Sequence, residues 1–210
     1  MVNDRGALTH KGFSQQYNRY FEQNESLQKA VERGEAYSKG KVYIIGSAVY
    51  GFFSGMKKSP KDIDLLLEKP LTGENLKQLD NLELKLTAFA TPYLEMDGLR
   101  IDLNYLASFM PNIANPTIDD FFKGSNIYNV QNIAYIPYKG IIGEGGMDAI
   151  NSRILRVDNF ERARIAAEKR LKGKKNISVE EMIMHMIMEK AAALGFDYEF
   201  PEEILVRRQT

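Results

Sequence analysis

The stretch Tyr43-Ile-Ile-Gly46-Ser47, followed by Asp62-Ile63-Asp64, constrains the fold of this chain more than any other. An apolar, β-branched run that ends in Gly-Ser predicts a strand turning sharply into a helix. The Ile/Leu run over residues 63–68 predicts a neighbouring strand buried on both faces. Strand side chains alternate, so Asp62 and Asp64 share one side while Ile63 points into the core. Two carboxylates on one face repel each other. A hard divalent cation, Mg²⁺ or Mn²⁺, relieves that repulsion, and Mg²⁺ prefers one or two carboxylates completed by phosphate oxygens. The pattern suits a nucleoside triphosphate held over a metal pair for phosphoryl transfer.

Around this centre the chain reads as alternating helices and strands. Residues 13–38 predict one or two leading helices with Tyr17, Tyr20, Phe21, Leu27 and Val31 on one apolar stripe. Residues 41–46 predict a strand, and 48–54 a helix stopped by Gly55. Residues 71–79 predict a helix and 83–89 a half-buried strand. Asp97-Gly98 between two alternating runs predicts a hairpin whose second arm places Leu99, Ile101, Leu103 and Tyr105 on one face and Arg100, Asp102 and Asn104 on the other. A short helix over 118–123 and a β segment over 129–142, broken by Pro137 and Gly140, come next. After Gly143-Glu-Gly145-Gly146 the chain turns helical, and Ser178-Val-Glu-Glu181 is a capping box before a Met/Ile-rich helix that ends at Gly195. In that helix Met182, Ile183, Met186, Ile187 and Leu194 read as core, with His185 buried or at the core's edge. The division is a head over residues 1–145, leading helices included, and a helical neck over 146–210.

Composition removes several chemistries. With no cysteine and only two histidines, disulfides, thiolate metal sites, cysteine nucleophiles and a multi-histidine zinc site are excluded. Lys plus Arg is 28 and Asp plus Glu is 28, so the net charge gives no long-range pull toward nucleic acid. No apolar run reaches the length of a membrane helix and no signal-like segment opens the sequence, which leads to the expectation of a cytoplasmic protein without a membrane partner.

The candidate site therefore comprises Asp62 and Asp64 on the second strand and Asp102 on a hairpin arm able to pair beside it. Gly46 permits close backbone approach, and the amides that follow, with the Ser47 hydroxyl, can take phosphate oxygens. A plain strand-to-helix turn with Ser47 as N-cap is equally compatible. Lys57 and Lys61, with Lys58, form a loop that either neutralises a triphosphate or is merely solvated. The run Arg153, Arg156, Arg162, Arg164, Lys169, Arg170, Lys172, Lys174 and Lys175 is either an acceptor-binding wall or a solvated helix face. Tyr135 and Tyr138 either stack a base or pack.

Ile44-Ile-Gly-Ser-Ala-Val49, Gly55 and Pro60-Lys61-Asp62-Ile63-Asp64-Leu65 resemble the signature of the DNA polymerase beta-like nucleotidyltransferase superfamily. Within it they look most like the head of class II CCA-adding enzymes and bacterial poly(A) polymerases, which carry Gly-Gly-Ala-Val-Arg-Asp and Pro-Lys-Asp-Ile-Asp. Val130-Gln-Asn-Ile-Ala-Tyr135, Gly145-Gly146 and Arg153-Ile-Leu-Arg156-Val157 resemble further elements of that family in the same order. Tyr50-Gly51 stands where the family has Arg-Asp, and Ser125-Asn126-Ile127 where it has Arg-Arg-Asp. The resemblance implies an α+β head with a central mixed sheet flanked by helices, a short helical neck, and metal-dependent transfer of NMP from an NTP to an acceptor hydroxyl with release of pyrophosphate. ATP-binding and RNA-binding are expected with it, an RNA 3′ end being preferred as acceptor. The alternatives are transfer to a small molecule or a protein side chain, or a nucleotide- or RNA-binding module without turnover.

Overall fold

In a computed structural model, the described residues are 6–38, 40–56, 62–69, 85–86, 91–96, 98–172 and 177–207. The predicted helix over 71–79, most of the predicted strand over 83–89, the Lys57, Lys58 and Lys61 loop, and Lys174 and Lys175 lie outside them.

The leading helices are α1 (His10–Glu22) and α2 (Glu25–Ser38). Thr9 caps α1 by accepting from the Gly12 amide, and Phe13, Tyr17 and Phe21 bury its apolar stripe. Tyr20, predicted on the same stripe, is only half-buried and stacks on Phe52 with ring centroids 4.5 Å apart. The chain then runs through β1 (Val42–Ile45), α3 (Ser47–Ser54), β2 (Asp62–Leu67), β3 (Lys85–Leu86), β4 (Pro92–Met96) and β5 (Leu99–Tyr105). It continues with α4 (Leu106–Phe109), α5 (Ile118–Gly124), β6 (Ala134–Ile136) and β7 (Gly140–Ile142). Gly98, at φ 77°, closes the β4–β5 hairpin as predicted, a position that only glycine takes without strain.

These strands make one sheet in the order β3-β4-β5-β2-β1-β6-β7. It is mixed: β2 and β5 run parallel, and every other pairing is antiparallel. Because β2 is central it is hydrophobic on both sides. Ile63, Leu65 and Leu67 join the larger core beneath α1, α2 and α3, while Leu66 joins a smaller core with Tyr43, Ile45, Leu106, Phe121 and Phe122. Asp62 and Asp64 have the parity of Leu66 and so lie on the smaller-core face, which α4 and α5 cover.

The segment 129–142 departs from a continuous β reading. Asn129–Gln131 forms a 3₁₀ turn instead of a strand, because side chains there satisfy the backbone. Asn129 Oδ1 accepts from the Val130 and Arg156 amides, and Gln131 Oε1 accepts from those of Ile127 and Tyr128.

The region expected to be a neck contains α6 (Glu144–Ser152), α7 (Phe160–Leu171), α8 (Val179–Leu194) and α9 (Glu202–Arg207). Ser178 and Glu181 form the predicted capping box of α8, and Gly195 ends it in the left-handed conformation. A small parallel pair, β8 (Ile154–Leu155) with β9 (Asp197–Tyr198), ties the two ends of the neck together and is not foreshadowed by any periodicity. Met182, Ile183, Met186, Ile187 and Leu194 are buried as expected. His185 is a correction: it is exposed, because Met184 and Met186 on either side turn their own directions inward and leave residue 185 facing out.

Candidate active site

Strand pairing brings the three predicted carboxylates together. Asp64 of β2 is the direct neighbour of Asp102 on β5, and Asp62 of Arg100. Laterally paired residues project to the same side of a sheet, at the roughly 4.8 Å spacing of adjacent strands. Asp62, Asp64, Arg100, Asp102 and Asn104 therefore share one face. Asp102 is buried there at 8% exposure. Burial pushes the Asp64 carboxyl up to about 6, with the charges of Asp62 and Asp102 adding to the rise; Arg100 and a hydrogen bond with Asn104 oppose it.

Gly46 sits directly against this cluster. Its φ of 70° is one that residues with a side chain rarely adopt, and a Cβ there would meet Asp64 Oδ2 at 2.5 Å. The turn thus delivers the backbone onto a carboxylate. Gly46, not Ser47, is the N-cap of α3, and no side chain caps that helix. Ser47 is its first residue and half-exposed; the Val49 and Tyr50 amides bond to the Gly46 carbonyl, which leaves the Ser47 and Ala48 amides as the first-turn donors for an oxyanion.

Arg100 is the residue that the sequence did not assign to the site. Its Nε donates to Asp102 Oδ1 at 2.6 Å and its Nη2 to Asp102 Oδ2 at 2.7 Å, while its guanidinium lies 4.9 Å from the Tyr93 ring centroid. Asp102 is thereby neutralised from within its own strand. Among the described residues, no group of three or more acidic or histidine side chains is disposed as it stands to hold a metal ion. The donor set nevertheless suits a hard cation: the Arg100 charge reaches Asp62 and Asp64, but its direct ion pair among the described residues is with Asp102, and phosphate oxygens and water can complete the shell. Arg100 competes with a cation for Asp102.

A cavity of about 580 Å³ opens at the same end of the sheet, between α5 and the start of α6. Asn132 and Asp158 line it, with Asn132 Nδ2 donating to Asp158 Oδ2 at 2.6 Å. Asn132 lies just before β6, whose Tyr135 pairs with Ile44, and Ile45 in turn pairs with Asp64.

The four predicted acceptor-binding arginines all have intramolecular partners. Arg153 donates to the Gly195 carbonyl at 2.8 Å and lies over Phe196, and Arg162 donates to the Gly124 carbonyl at 3.3 Å. Arg156 pairs with Glu199 at 3.3 Å, and Arg164 with Glu161 and Glu168. Tyr135 is fully buried and packs against Tyr17 and Phe21, whereas Tyr138 is 68% exposed.

No helix among the described residues is long and apolar enough to cross a membrane. Neither a protein-family model nor a curated protein sequence matches the chain. Solved structures do. The Bacillus stearothermophilus CCA-adding enzyme in complex with CTP superposes with a TM-score of 0.58 at 19% identity, over 84% of this chain and 41% of that one. A second CCA-adding enzyme with CTP gives 0.53 at 21% identity, over 84% of this chain and 46% of that one. The chain thus spans less than half the length of either. Over most of its length the chain shares its fold with part of these CCA-adding enzymes.

Proposed function

We propose that this protein is a metal-dependent nucleotidyltransferase that moves NMP from an NTP to an acceptor hydroxyl and releases pyrophosphate. The observation carrying this reading is the pairing of Asp64 with Asp102, with Asp62 on the same face and Gly46 pressed against Asp64. In the reaction the acceptor oxygen attacks the α-phosphorus, the bond from that phosphorus to the β-bridging oxygen breaks, and pyrophosphate leaves with the electron pair.

Asp62 and Asp64 would hold Mg²⁺ or Mn²⁺, which when bound neutralises the triphosphate and lowers the pKa of the acceptor hydroxyl. The first amides of α3 and the Ser47 hydroxyl would take phosphate oxygens, with Lys57 and Lys61, outside the described residues, adding positive charge. The base would enter the cavity beside Asn132. Asp102 would complete the metal site with Asp62 and Asp64, orient the acceptor hydroxyl and receive its proton once Arg100 turns its charge to the phosphates. Preorganised charge supplies most of the rate in such transfers.

Both structural neighbours are CTP complexes, which supports a nucleoside triphosphate as the ligand. An RNA 3′ end is the preferred acceptor. Arg156 and Arg164 would bind it by exchanging exposed ion pairs, each worth about 0–1 kcal/mol, for phosphates, and Arg153 and Arg162 by giving up carbonyl partners. A second reading, a nucleotide-binding module without turnover, draws on the Arg100–Asp102 pair, which occupies both oxygens of one carboxylate. The deciding experiment incubates the protein with each labelled NTP, Mg²⁺ and a panel of RNAs, and measures pyrophosphate and labelled product. Nucleotide binding without pyrophosphate under every acceptor selects the module.

A further inference from the structure

Tyr93 of β4 extends the carboxylate row by one strand. It pairs across the ladder with Asp102, which pairs with Asp64, so the three side chains project from one face at successive strand spacings of roughly 4.8 Å. Leu94, of the opposite parity, enters the larger core, whereas Tyr93 is half-buried and a member of neither hydrophobic core. What Tyr93 does touch belongs to the site: the Arg100 guanidinium that grips Asp102 lies 4.9 Å from the centroid of its ring. Glu95, the acidic residue on the same side of β4, is paired with Lys85 at 2.6 Å.

The order of the strands gives this end of the row to the acceptor. Gly46 and the Ser47 and Ala48 amides, where phosphate oxygens would bind, follow β1 on one side of β2. Asp102, Arg100 and Tyr93 stand on the other side, on β5 and β4. In an in-line displacement the attacking oxygen approaches the phosphorus from the side opposite the leaving group. With pyrophosphate departing toward α3, the attacking hydroxyl comes from the side of β5 and β4. An RNA 3′ end brings its base along, within reach of an aromatic ring one strand beyond Asp102. A ring on which a base stacks, beside a cation for a phosphate, is the combination that holds single strands.

Resting on the nucleotidyltransferase reading, we propose that Tyr93 is the stacking platform for the terminal base of an RNA acceptor, with Arg100 swinging from the ring to a phosphate as that base arrives. Stacking accepts any base, so this position selects a nucleic-acid end and not a particular sequence. It also separates the RNA acceptor from a small molecule or a protein side chain without a ring to stack. Because Tyr93 completes neither core, its removal leaves the packing of both intact, and a binding role can be read without a folding defect.

The test measures two affinities of the full chain side by side, one for a single-stranded RNA oligonucleotide carrying 2-aminopurine as its 3′-terminal base, the other for labelled CTP or ATP with Mg²⁺. Stacking on Tyr93 should change the 2-aminopurine fluorescence when the reporter is 3′-terminal and not when it is 5′-terminal. Tyr93→Ala should weaken RNA binding by roughly 5- to 150-fold, the range for losing one base–aromatic stack, abolish the fluorescence change and leave triphosphate affinity unaltered. Tyr93→Phe, which keeps the ring, should bind RNA as the unmutated protein does. Tyr93→Leu, which keeps bulk without a π-face, should behave as Tyr93→Ala and carries the test if the alanine variant does not fold. Undiminished RNA binding without the ring, or loss of triphosphate in place of RNA, overturns the role of Tyr93 and leaves the nucleotidyltransferase reading standing. An unmutated protein that binds triphosphate but no RNA does the same and points to a small-molecule or protein acceptor. An unmutated protein that binds no triphosphate overturns both.

Discussion

Arg100 and Asp102, two residues apart on β5, grip each other through two short hydrogen bonds on the face that also carries Asp62 and Asp64. The pair follows from strand geometry, because residues i and i+2 share a face and a guanidinium fork matches a carboxylate edge. It makes Asp102 compete between an internal cation and an external one. Arg100→Gln should therefore tighten Mn²⁺ binding, read by electron paramagnetic resonance of free Mn²⁺, on the order of tenfold. It should also lower the melting temperature in EDTA, since a buried carboxylate loses its partner. Unchanged Mn²⁺ affinity would show that Asp102 takes no part in cation binding.

Asp62→Ala and Asp64→Ala should each abolish transfer while the far-ultraviolet circular dichroism spectrum stays that of the unmutated protein. Without metal, Asp64→Asn should be more stable than the parent at neutral pH. Burial and two neighbouring carboxylates disfavour the charged form of Asp64, which titrates at about 6 when folded and near the ordinary carboxylate value when unfolded. The unfolded state thus releases this proton first as pH rises. The contribution of Asp64 to stability is full below about pH 4 and is lost as pH climbs to about 6, by on the order of 2–3 kcal/mol. Urea titrations in EDTA at pH 4.5 and 7.5 should show that difference in the parent and not in Asp64→Asn, and Mg²⁺ should diminish it.

Gly46→Ala tests the turn. A methyl group there meets Asp64 Oδ2 at 2.5 Å, and the backbone stays in the left-handed region, so the change should cost about 1–3 kcal/mol in urea unfolding. Since the displaced atom belongs to a proposed metal ligand, transfer activity should fall with it. Gly55→Ala serves as a comparison, because Gly55 also has a positive φ, of 71°, but nothing lies within 4 Å of its added Cβ. It should lose stability alone.

Neutralising Arg162, Arg164, Lys169 and Arg170 together should weaken RNA binding and flatten its salt dependence by about one unit of log–log slope for each phosphate that is no longer neutralised. The intramolecular partners of Arg162, Arg164 and Arg170 predict a modest change in melting temperature at most, because exposed pairs contribute little. Unchanged RNA affinity and slope would make this run a solvated helix face and shift the acceptor to a small molecule or a protein side chain.

The local chain determined the elements. β-branched residues before Gly46, the Asp97-Gly98 turn, the Ser178 capping box and the alternation of Arg100, Asp102 and Asn104 each encode their own geometry, since they act over a few residues. They fixed that Asp62 and Asp64 share a face, and which face of β5 Asp102 occupies. What they left open was which strand lies beside which, for a period-2 pattern names a face and not a neighbour. Only the tertiary structure set Asp64 against Asp102, because that parallel pairing spans the whole segment between β2 and β5. The same holds for the cations. The arginine-rich run looked like the basic surface, yet folding gives Arg153, Arg156, Arg162, Arg164 and Arg170 carboxylates and carbonyls, while Lys190, inconspicuous in a Met-rich helix, arrives at Tyr50 from 140 residues away. Sequence spacing records charge; burial and distance, which decide what a charge does, exist only once the chain has closed on itself.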